Sequence, residues 1–144
     1  VPPSYKQRKT RRMSSFRPLC FPLLKTKLVG VQKEEVRQRI LEAMKSIGTA
    51  EAARALIFEF ENASGSGRSK VLKTMVGMNA TPLFSFFTDL MKNSDNASFR
   101  IMSIRGLVRI GDSTVLQDLQ TIRDRDPDEK VKEAAELAIE ELQG

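Results

Sequence analysis

The feature that most constrains the fold is an internal repeat of about 32 residues in a chain of 144. Four copies of one pattern end at Gly48, Asn79, Gly111 and Gln143, at spacings of 31, 32 and 32 residues. Within each copy, apolar or small residues recur at intervals of three and four, which is the period of one helix face. Each copy therefore predicts an amphipathic helix, called helix B of its repeat.

Turn-forming residues separate the B helices from a second set of helices, called A. Gly48, Asn79 and Gly111 are expected to close the B helices in the left-handed conformation, which Gly and Asn tolerate. The N-caps predicted for the A helices that follow are Thr49, Thr81 and Ser113. The predicted core residues of the A helices are Ala53, Leu56, Phe60, Leu83, Phe84, Phe87, Leu90, Val115, Leu116, Leu119 and Ile122. No segment alternates with period two over a useful length, so the predicted fold class is all-α.

One stretch carries the pattern most clearly. It reads Val108-Arg109-Ile110-Gly111-Asp112, followed by Leu116, Leu119, Asp124, Asp126-Pro127, Val131-Lys132 and Ala135. This pattern resembles the HEAT-repeat family, in particular its bacterial short-repeat variant, over roughly residues 33–144. The resemblance implies a right-handed superhelical α-solenoid of about four helix pairs, with A helices on the convex side and B helices on the concave side.

The resemblance also implies ion pairs between a loop carboxylate and the basic residue that opens the next B helix. The pairs it implies are Asp95 with Arg100 and Asp126 with Lys132. The second repeat departs from the pattern, because Gly67 stands where a valine is expected. This departure predicts either a shortened B helix or a mobile loop in that repeat.

The net charge of +6 comes from one end of the chain. Residues 1–32 contain eight basic residues and no acid, whereas the remainder is close to neutral. We therefore predict a basic arm at residues 1–17 and a repeat domain at 18–144, with a first A helix in 18–29. The arm is either a disordered solubilising tail or a contact for a polyanion, which is an anionic membrane surface or nucleic acid. The residues predicted for that contact are Lys6, Arg8, Lys9, Arg11, Arg12 and Arg17.

The residue types exclude most site chemistry. The sequence has no histidine and a single cysteine, Cys20, so we predict no catalytic, cofactor-binding or metal-binding residues. Gly65-Ser66-Gly67-Arg68-Ser69-Lys70 is only a faint match to a phosphate loop and is interpreted as a flexible connection. The lone cysteine favours a reducing compartment, the cytoplasm, with membrane association through the arm or a missing upstream segment. Because the chain begins with Val1 rather than methionine, it is interpreted as a fragment.

An apolar stripe on the B helices, bordered by basic residues, gives the functional hypothesis. Its residues either line a concave groove that binds a partner segment with acidic and hydrophobic residues, or pack between neighbouring B helices as ordinary core. The partner-binding set predicted by the first interpretation is Leu41, Leu72, Lys73, Val76, Ile101, Ile104, Arg105 and Val108.

The predicted function is a non-enzymatic protein-protein interaction or scaffold module whose partner is a protein or peptide. One alternative is nucleic-acid or membrane binding through the arm. Another is a regulatory domain of a larger enzyme or membrane protein. Nucleic acid fits the B helices less well, because their stripe is apolar at its centre and ends in Glu133, Glu136 and Glu140.

Overall fold

The structure, a computed structural model, describes residues 34–144, which form seven α-helices and one short 3₁₀ turn. The helices are α1 (Glu34–Ile47), α2 (Ala50–Asn62), α3 (Ser66–Val76), α4 (Thr81–Asn93), α5 (Ala97–Ile110), α6 (Leu116–Arg125) and α7 (Glu129–Gln143), and the 3₁₀ turn at Ser113–Val115 leads into α6. No strand occurs between residues 34 and 144. The all-α prediction is therefore confirmed.

The helices pack as a solenoid of repeated pairs. The B helices α1, α3, α5 and α7 form one row in which each packs on the next, and α2, α4 and α6 pack on the B helices that follow them. This is the predicted alternation of A and B helices. The predicted first A helix at residues 18–29, the arm at 1–17 and Cys20 all lie outside the described residues.

One continuous apolar core runs through the stack. Of the core residues predicted for the A helices, seven are buried and the other four, Phe84, Leu90, Leu116 and Ile122, are partly buried against the core. An aromatic cluster joins the second and third helix pairs. Within it, the Phe60 ring meets the edges of Phe86 and Phe99 at centroid distances of 5.4 and 5.6 Å. Such edge contacts stabilise the junction beyond the apolar area that they bury.

The predicted B-helix ends are correct at two of the three glycine or asparagine positions. Gly48 and Gly111 have φ values of 66° and 78°, in the left-handed region that favours glycine. Asn79 is not left-handed, because α3 already ends at Val76 and the chain leaves the helix through Gly77. At 11 residues, α3 is shorter than the other B helices, which have 14 or 15. The shortened second B helix is therefore confirmed.

The predicted N-caps are correct only for Thr49, whose hydroxyl accepts a hydrogen bond from the Ala52 amide at 3.1 Å. Thr81 is instead the first residue of α4, and Ala80 holds the cap position without a side-chain bond. Ser113 lies inside the 3₁₀ turn, which is capped by the preceding Asp112. The hydrogen bonds that the Asp112 carboxylate accepts from the amide and hydroxyl of Thr114 lower its pKa. A carboxylate thus takes the role expected of the serine hydroxyl.

The interpretation of residues 65–70 as a flexible connection was wrong, because Ser66 to Lys70 already belong to α3. Gly65 has φ 55° and precedes the first residue of α3. Arg68 turns back towards the end of α2, where its Nε donates to the Ala63 carbonyl at 2.9 Å. The guanidinium carbon also lies 5.3 Å from the centroid of the Phe60 ring. The Arg68 side chain therefore closes the α2–α3 connection.

A buried ion pair joins the last two helix pairs, and its partners differ from those that the resemblance implied. Arg100 donates to Asp126 through Nε at 2.9 Å and through Nη2 at 3.0 Å, and both residues are buried. The guanidinium also donates to the Ser94 carbonyl at 2.8 Å. Asp95 is exposed, and Lys132 pairs with Glu129 on its own helix. Both implied pairs are therefore wrong. Arg100 donates to the carboxylate of Asp126 in the next inter-helix loop, and in the loop before its own helix it donates to the backbone carbonyl of Ser94.

Gly106 allows α4 to pack directly on α5, and we expect the substitution Gly106→Ala to destabilise the protein. A Cβ at this position would lie 2.5 Å from Cε2 of Phe87. The Phe87 ring is fully buried, so it cannot move aside into solvent. Overpacking of this kind costs roughly 1–3 kcal/mol, which exceeds the helix-propensity gain of up to about 1 kcal/mol. The measurement is the free energy of unfolding in urea.

Gly67→Ala is the matched control, because a Cβ there meets only the Ala63 side chain at an ordinary 3.6 Å. We expect this variant to be as stable as the parent or slightly more stable. Equal unfolding free energies for the parent and Gly106→Ala would contradict the close approach of Phe87 to the α5 backbone.

Candidate functional site

The candidate site is the surface of the B helices that the rest of the stack leaves open. We call it the B-row face and define it by four repeat-equivalent positions on α1, α3, α5 and α7. Its residues are Gln38, Glu42, Lys45 and Ser46 on α1; Ser69, Lys73, Val76 and Gly77 on α3; Ile101, Arg105, Val108 and Arg109 on α5; and Glu133, Leu137, Glu140 and Glu141 on α7. All sixteen are exposed or half-buried.

Three of the predicted partner-binding residues are not on this face. Leu41, Leu72 and Ile104 are 1%, 0% and 1% exposed and belong to the core. They occupy one repeat-equivalent position, which is covered because each of these B helices packs on the next one. On α7 the equivalent residue is Glu136, which is exposed. The assignment of these three residues to a groove was therefore wrong, and the core interpretation is correct for them.

The other five predicted residues do lie on the B-row face. Lys73 and Arg105 are exposed, while Val76, Ile101 and Val108 are half-buried and pack against the edge of the core. The face therefore presents a shallow apolar strip bordered by cations rather than a deep leucine groove. Whether these five residues bind a partner stays a prediction.

The cations at the centre of the B-row face have no ion-pair partner in the described part of the chain. The ion pairs that form there involve neither Lys73, Arg105 nor Arg109. Arg109 lies four residues after Arg105, which places both on one helix face. Three neighbouring positive charges are therefore available to an external partner.

The α1 end of the B helices differs from the centre, because its charges are partly compensated. Lys70 pairs with Glu34 at 2.9 Å, and Lys45 approaches Glu42 at 3.9 Å. Glu34 and Lys70 also line a shallow cleft between α1 and α3, together with Glu35, Gln38 and Lys73. Exposed pairs of this kind contribute little to stability, but they reduce the net charge of this end.

The α7 end is acidic and carries an apolar side chain that sequence reasoning missed. Leu137 is 65% exposed, and Glu133, Glu140 and Glu141 lie within about one helical turn of it. Glu136 has a partner in Arg123, with 3.5 Å between Oε2 and Nη1. The signal was present, because the 32-residue spacing puts Leu137 at the position of Arg105. It went unused because the prediction for this helix rested on its glutamates alone.

The Arg123 side chain that pairs with Glu136 is held firmly in its charged form. Its hydrogen bond to Asp124 and the negative charge of that residue, together with Glu136, raise the pKa of Arg123. Glu136 therefore faces a cation on α6. In the described part of the chain, no ion pair involves Glu133, Glu140 or Glu141.

Two other kinds of site, a metal centre and a membrane span, are absent from residues 34–144. That range contains no cluster of three or more side chains suited to hold a metal ion. None of its helices combines the length and apolar character needed to cross a bilayer. The residues predicted to contact a polyanion, Lys6, Arg8, Lys9, Arg11, Arg12 and Arg17, lie outside the described residues.

Comparison with known proteins identifies the repeat. A family model described as HEAT repeats matches residues 57–140, which is more than half of the chain. The match extends from α2 to α7 and includes both the aromatic cluster and the buried Arg100–Asp126 pair. The search of curated proteins found no match.

Proposed function

This chain belongs to the HEAT-repeat family, and from that premise we propose that it is a protein-protein interaction module that binds a partner segment on its B-row face. HEAT repeats generally mediate protein-protein interaction or scaffolding, and the family is typically non-enzymatic. Family membership thus supports the general role. The choice of face and partner chemistry rests on the charges described above.

The observation that carries the proposal is a group of three cations on α3 and α5 that have no ion-pair partner among residues 34–144 and lie beside half-buried apolar residues. Lys73 borders Val76, and Arg105 borders Ile101 and Val108. When an external carboxylate binds one of these cations, no existing ion pair between described residues has to break. Covering the adjacent apolar strip lowers the free energy further, because it removes apolar surface from water. Both changes favour the same kind of occupant.

The partner segment that fits this face contains both acidic and hydrophobic residues. An amphipathic helix or an extended peptide would place its apolar residues on Val76 and Val108 and its carboxylates on the bordering cations. We propose the cytoplasm as the site of this interaction, since the single cysteine favours a reducing compartment. Membrane association through the basic arm is a separate proposal that concerns residues outside the described range.

Nucleic acid is the competing occupant, and the charge distribution disfavours it. The cations that have no ion-pair partner among residues 34–144 occupy only the centre of the face, while Lys45 approaches Glu42 at one end and Glu133, Glu140 and Glu141 lie at the other. A duplex would bring its phosphates against these acids, whereas a nucleic-acid-binding surface is basic along its length.

The substitution Arg105→Glu is expected to weaken partner binding by about ten-fold or more, because it replaces an attractive charge at the centre of the face with a repulsive one. The partner segment is first selected from a displayed peptide library on the parent protein. The affinity of the selected peptide is then measured by fluorescence anisotropy, and helical content is followed by circular dichroism. We expect selection to enrich sequences with acidic and hydrophobic residues.

The matched control is Arg54→Glu, the same change on the exposed surface of α2. It should leave peptide affinity unchanged. Equal weakening by both variants, or enrichment of basic peptides, would contradict the proposed site. Competition by an oligonucleotide that depends on Arg105 would instead support the nucleic-acid alternative.

A further inference from the structure

The α7 end of the B-row face has the chemistry that the α5 part of the same face requires from a partner. Leu137 is the most exposed large apolar side chain of the described residues, and Glu133, Glu140 and Glu141 surround it. We call these four residues the acidic patch. Together they form an amphipathic helical surface with one apolar centre and three carboxylates.

The complementary surface lies on the neighbouring helix α5. The residues of this basic patch are Ile101, Arg105, Val108 and Arg109. They occupy the same four positions of their repeat as the acidic patch does, so the two patches have equal extent and the same orientation on adjacent parallel elements. In the described part of the chain, no ion pair neutralises either patch.

We propose that the occupant of the B-row face is a second copy of this chain, in a two-fold dimer that places α5 of each protomer on α7 of the other. This inference rests on the proposed function, because it names a partner for the same face. A two-fold interface requires a self-complementary surface. Adjacent basic and acidic patches meet that requirement, since one axis between α5 and α7 brings each basic patch onto an acidic patch.

The apolar residues of the two patches also match in spacing. Ile101 and Val108 are seven residues apart, or about 10 Å along the helix axis. A leucine fits between two apolar side chains at that separation, so Leu137 of one protomer enters the gap on the other. Its flanking carboxylates then meet Arg105 and Arg109. Burial of Leu137 supplies an apolar contribution, while the paired charges fix the register.

The dimer covers the residues to which the proposed function assigns the binding of a partner segment. A second copy and a partner peptide therefore compete for Arg105 and its neighbours. Dimer formation lowers the amount of free B-row face as the protein concentration rises, and a tightly bound partner dissociates the dimer. The same surface thus controls its own availability.

Sedimentation velocity of the full chain over a wide concentration range tests this proposal. At low salt, the expected result is a shift from the monomer mass of 16.2 kDa to twice that mass as concentration rises. Higher salt should weaken the association because exposed charges are screened. Leu137→Ser, with the apolar contact removed, should weaken dimerisation by about ten-fold or more.

Two charge-reversal variants give the sharper test. Arg105→Glu/Arg109→Glu makes both patches acidic, and Glu140→Lys/Glu141→Lys makes both basic, so each variant alone should be monomeric. In an equimolar mixture, every basic patch again faces an acidic one, and dimers should return. Circular dichroism checks that each variant keeps its helical content.

Several results would overturn the dimer. These are a parent chain that stays monomeric throughout, variants that associate as the parent does, or a mixture that does not recover association. If Glu140→Lys/Glu141→Lys loses the dimer but Arg105→Glu/Arg109→Glu keeps it, the acidic patch contacts cations other than Arg105 and Arg109. That result would also refute the proposed arrangement. Peptide binding to a monomeric parent that depends on Arg105 would retain the proposed function while rejecting the dimer.

Discussion

The substitution Asp126→Ala is expected to lower the free energy of unfolding by about 3–5 kcal/mol, because it leaves the buried guanidinium of Arg100 without its counter-ion. The Asp126 carboxylate accepts two bonds from that guanidinium, and its Oδ1 also accepts a bond from the Asp128 amide at 2.9 Å. The change therefore removes an interaction between repeats together with support for the turn before α7. Since small domains are stable by only about 5–15 kcal/mol, a large fraction of the stability would be lost.

Urea unfolding followed by circular dichroism measures this effect, with Asp124→Ala as the matched control. Asp124 is exposed and pairs with the partly exposed Arg123, so its removal should change stability by less than about 1 kcal/mol. The double variant Arg100→Met/Asp126→Ala should recover part of the loss, because no buried charge remains unpaired. A loss below about 1 kcal/mol for Asp126→Ala would show that water replaces the carboxylate and that the pair does not hold the repeats together.

The substitution Ile104→Glu is expected to unfold the protein or to cost on the order of 4–5 kcal/mol, because it places a carboxylate in the core. Ile104 is 1% exposed on α5. Its neighbour on the B-row face, Ile101, is half-buried and gives the matched control. Ile101→Glu should keep its helical content and lose only about 1 kcal/mol, since its charge can reach water.

Thermal unfolding of the two variants under identical conditions distinguishes the core from the face. If Ile104→Glu stays folded and loses only peptide binding, Ile104 lies on the binding surface and the burial described here is wrong. If Ile101→Glu unfolds as readily as Ile104→Glu, the apolar strip on α5 belongs to the core. In that case the proposed binding site would lose its apolar component.

The repeat period predicted the fold because it fixes the helices and their order. An apolar residue every three or four positions defines one face of a helix, and a 32-residue period requires that each helix pair bury that face against the next. Helix ends were less predictable. Asn79 was expected to end α3, but this helix stops at Val76 and the residues after Gly77 return to the core through Met78. Capping preferences are weak compared with such packing.

The candidate site was only partly predictable, because neighbouring helix positions lie within one broad apolar stripe. Ile101, Ile104 and Val108 follow the same spacing, and only the packing of α7 on α5 decides which of them is covered. The repeat itself contained a discriminating signal at Glu136. Glu136 stands on α7 at the position where α1, α3 and α5 bury an apolar side chain, so the repeat alignment marks this position as a contact between repeats. Apolar character alone does not carry that information.

The implied ion pairs failed for a related reason. Sequence places Arg100 close to Asp95 along the chain, but a long arginine side chain at the start of a B helix can extend to its own loop or to the next repeat. The choice depends on backbone geometry, which directs a carbonyl from Ser94 and the carboxylate of Asp126 to the same guanidinium. Distance along the chain is therefore a poor guide to partners in a stacked repeat.

The junctions between successive helix pairs resist deformation unequally. Ion pairs cross the first and last junctions of the described range, through Arg37 with Glu59 and Arg100 with Asp126, whereas Phe60, Phe86 and Phe99 hold the middle one. The two hydrogen bonds from Arg100 to Asp126 fix the angle at the last junction, whereas apolar contacts are non-directional. We therefore expect the solenoid to bend most easily between α3 and α5, where such a movement would change the separation of Lys73 and Arg105 and fit the surface to the curvature of a partner.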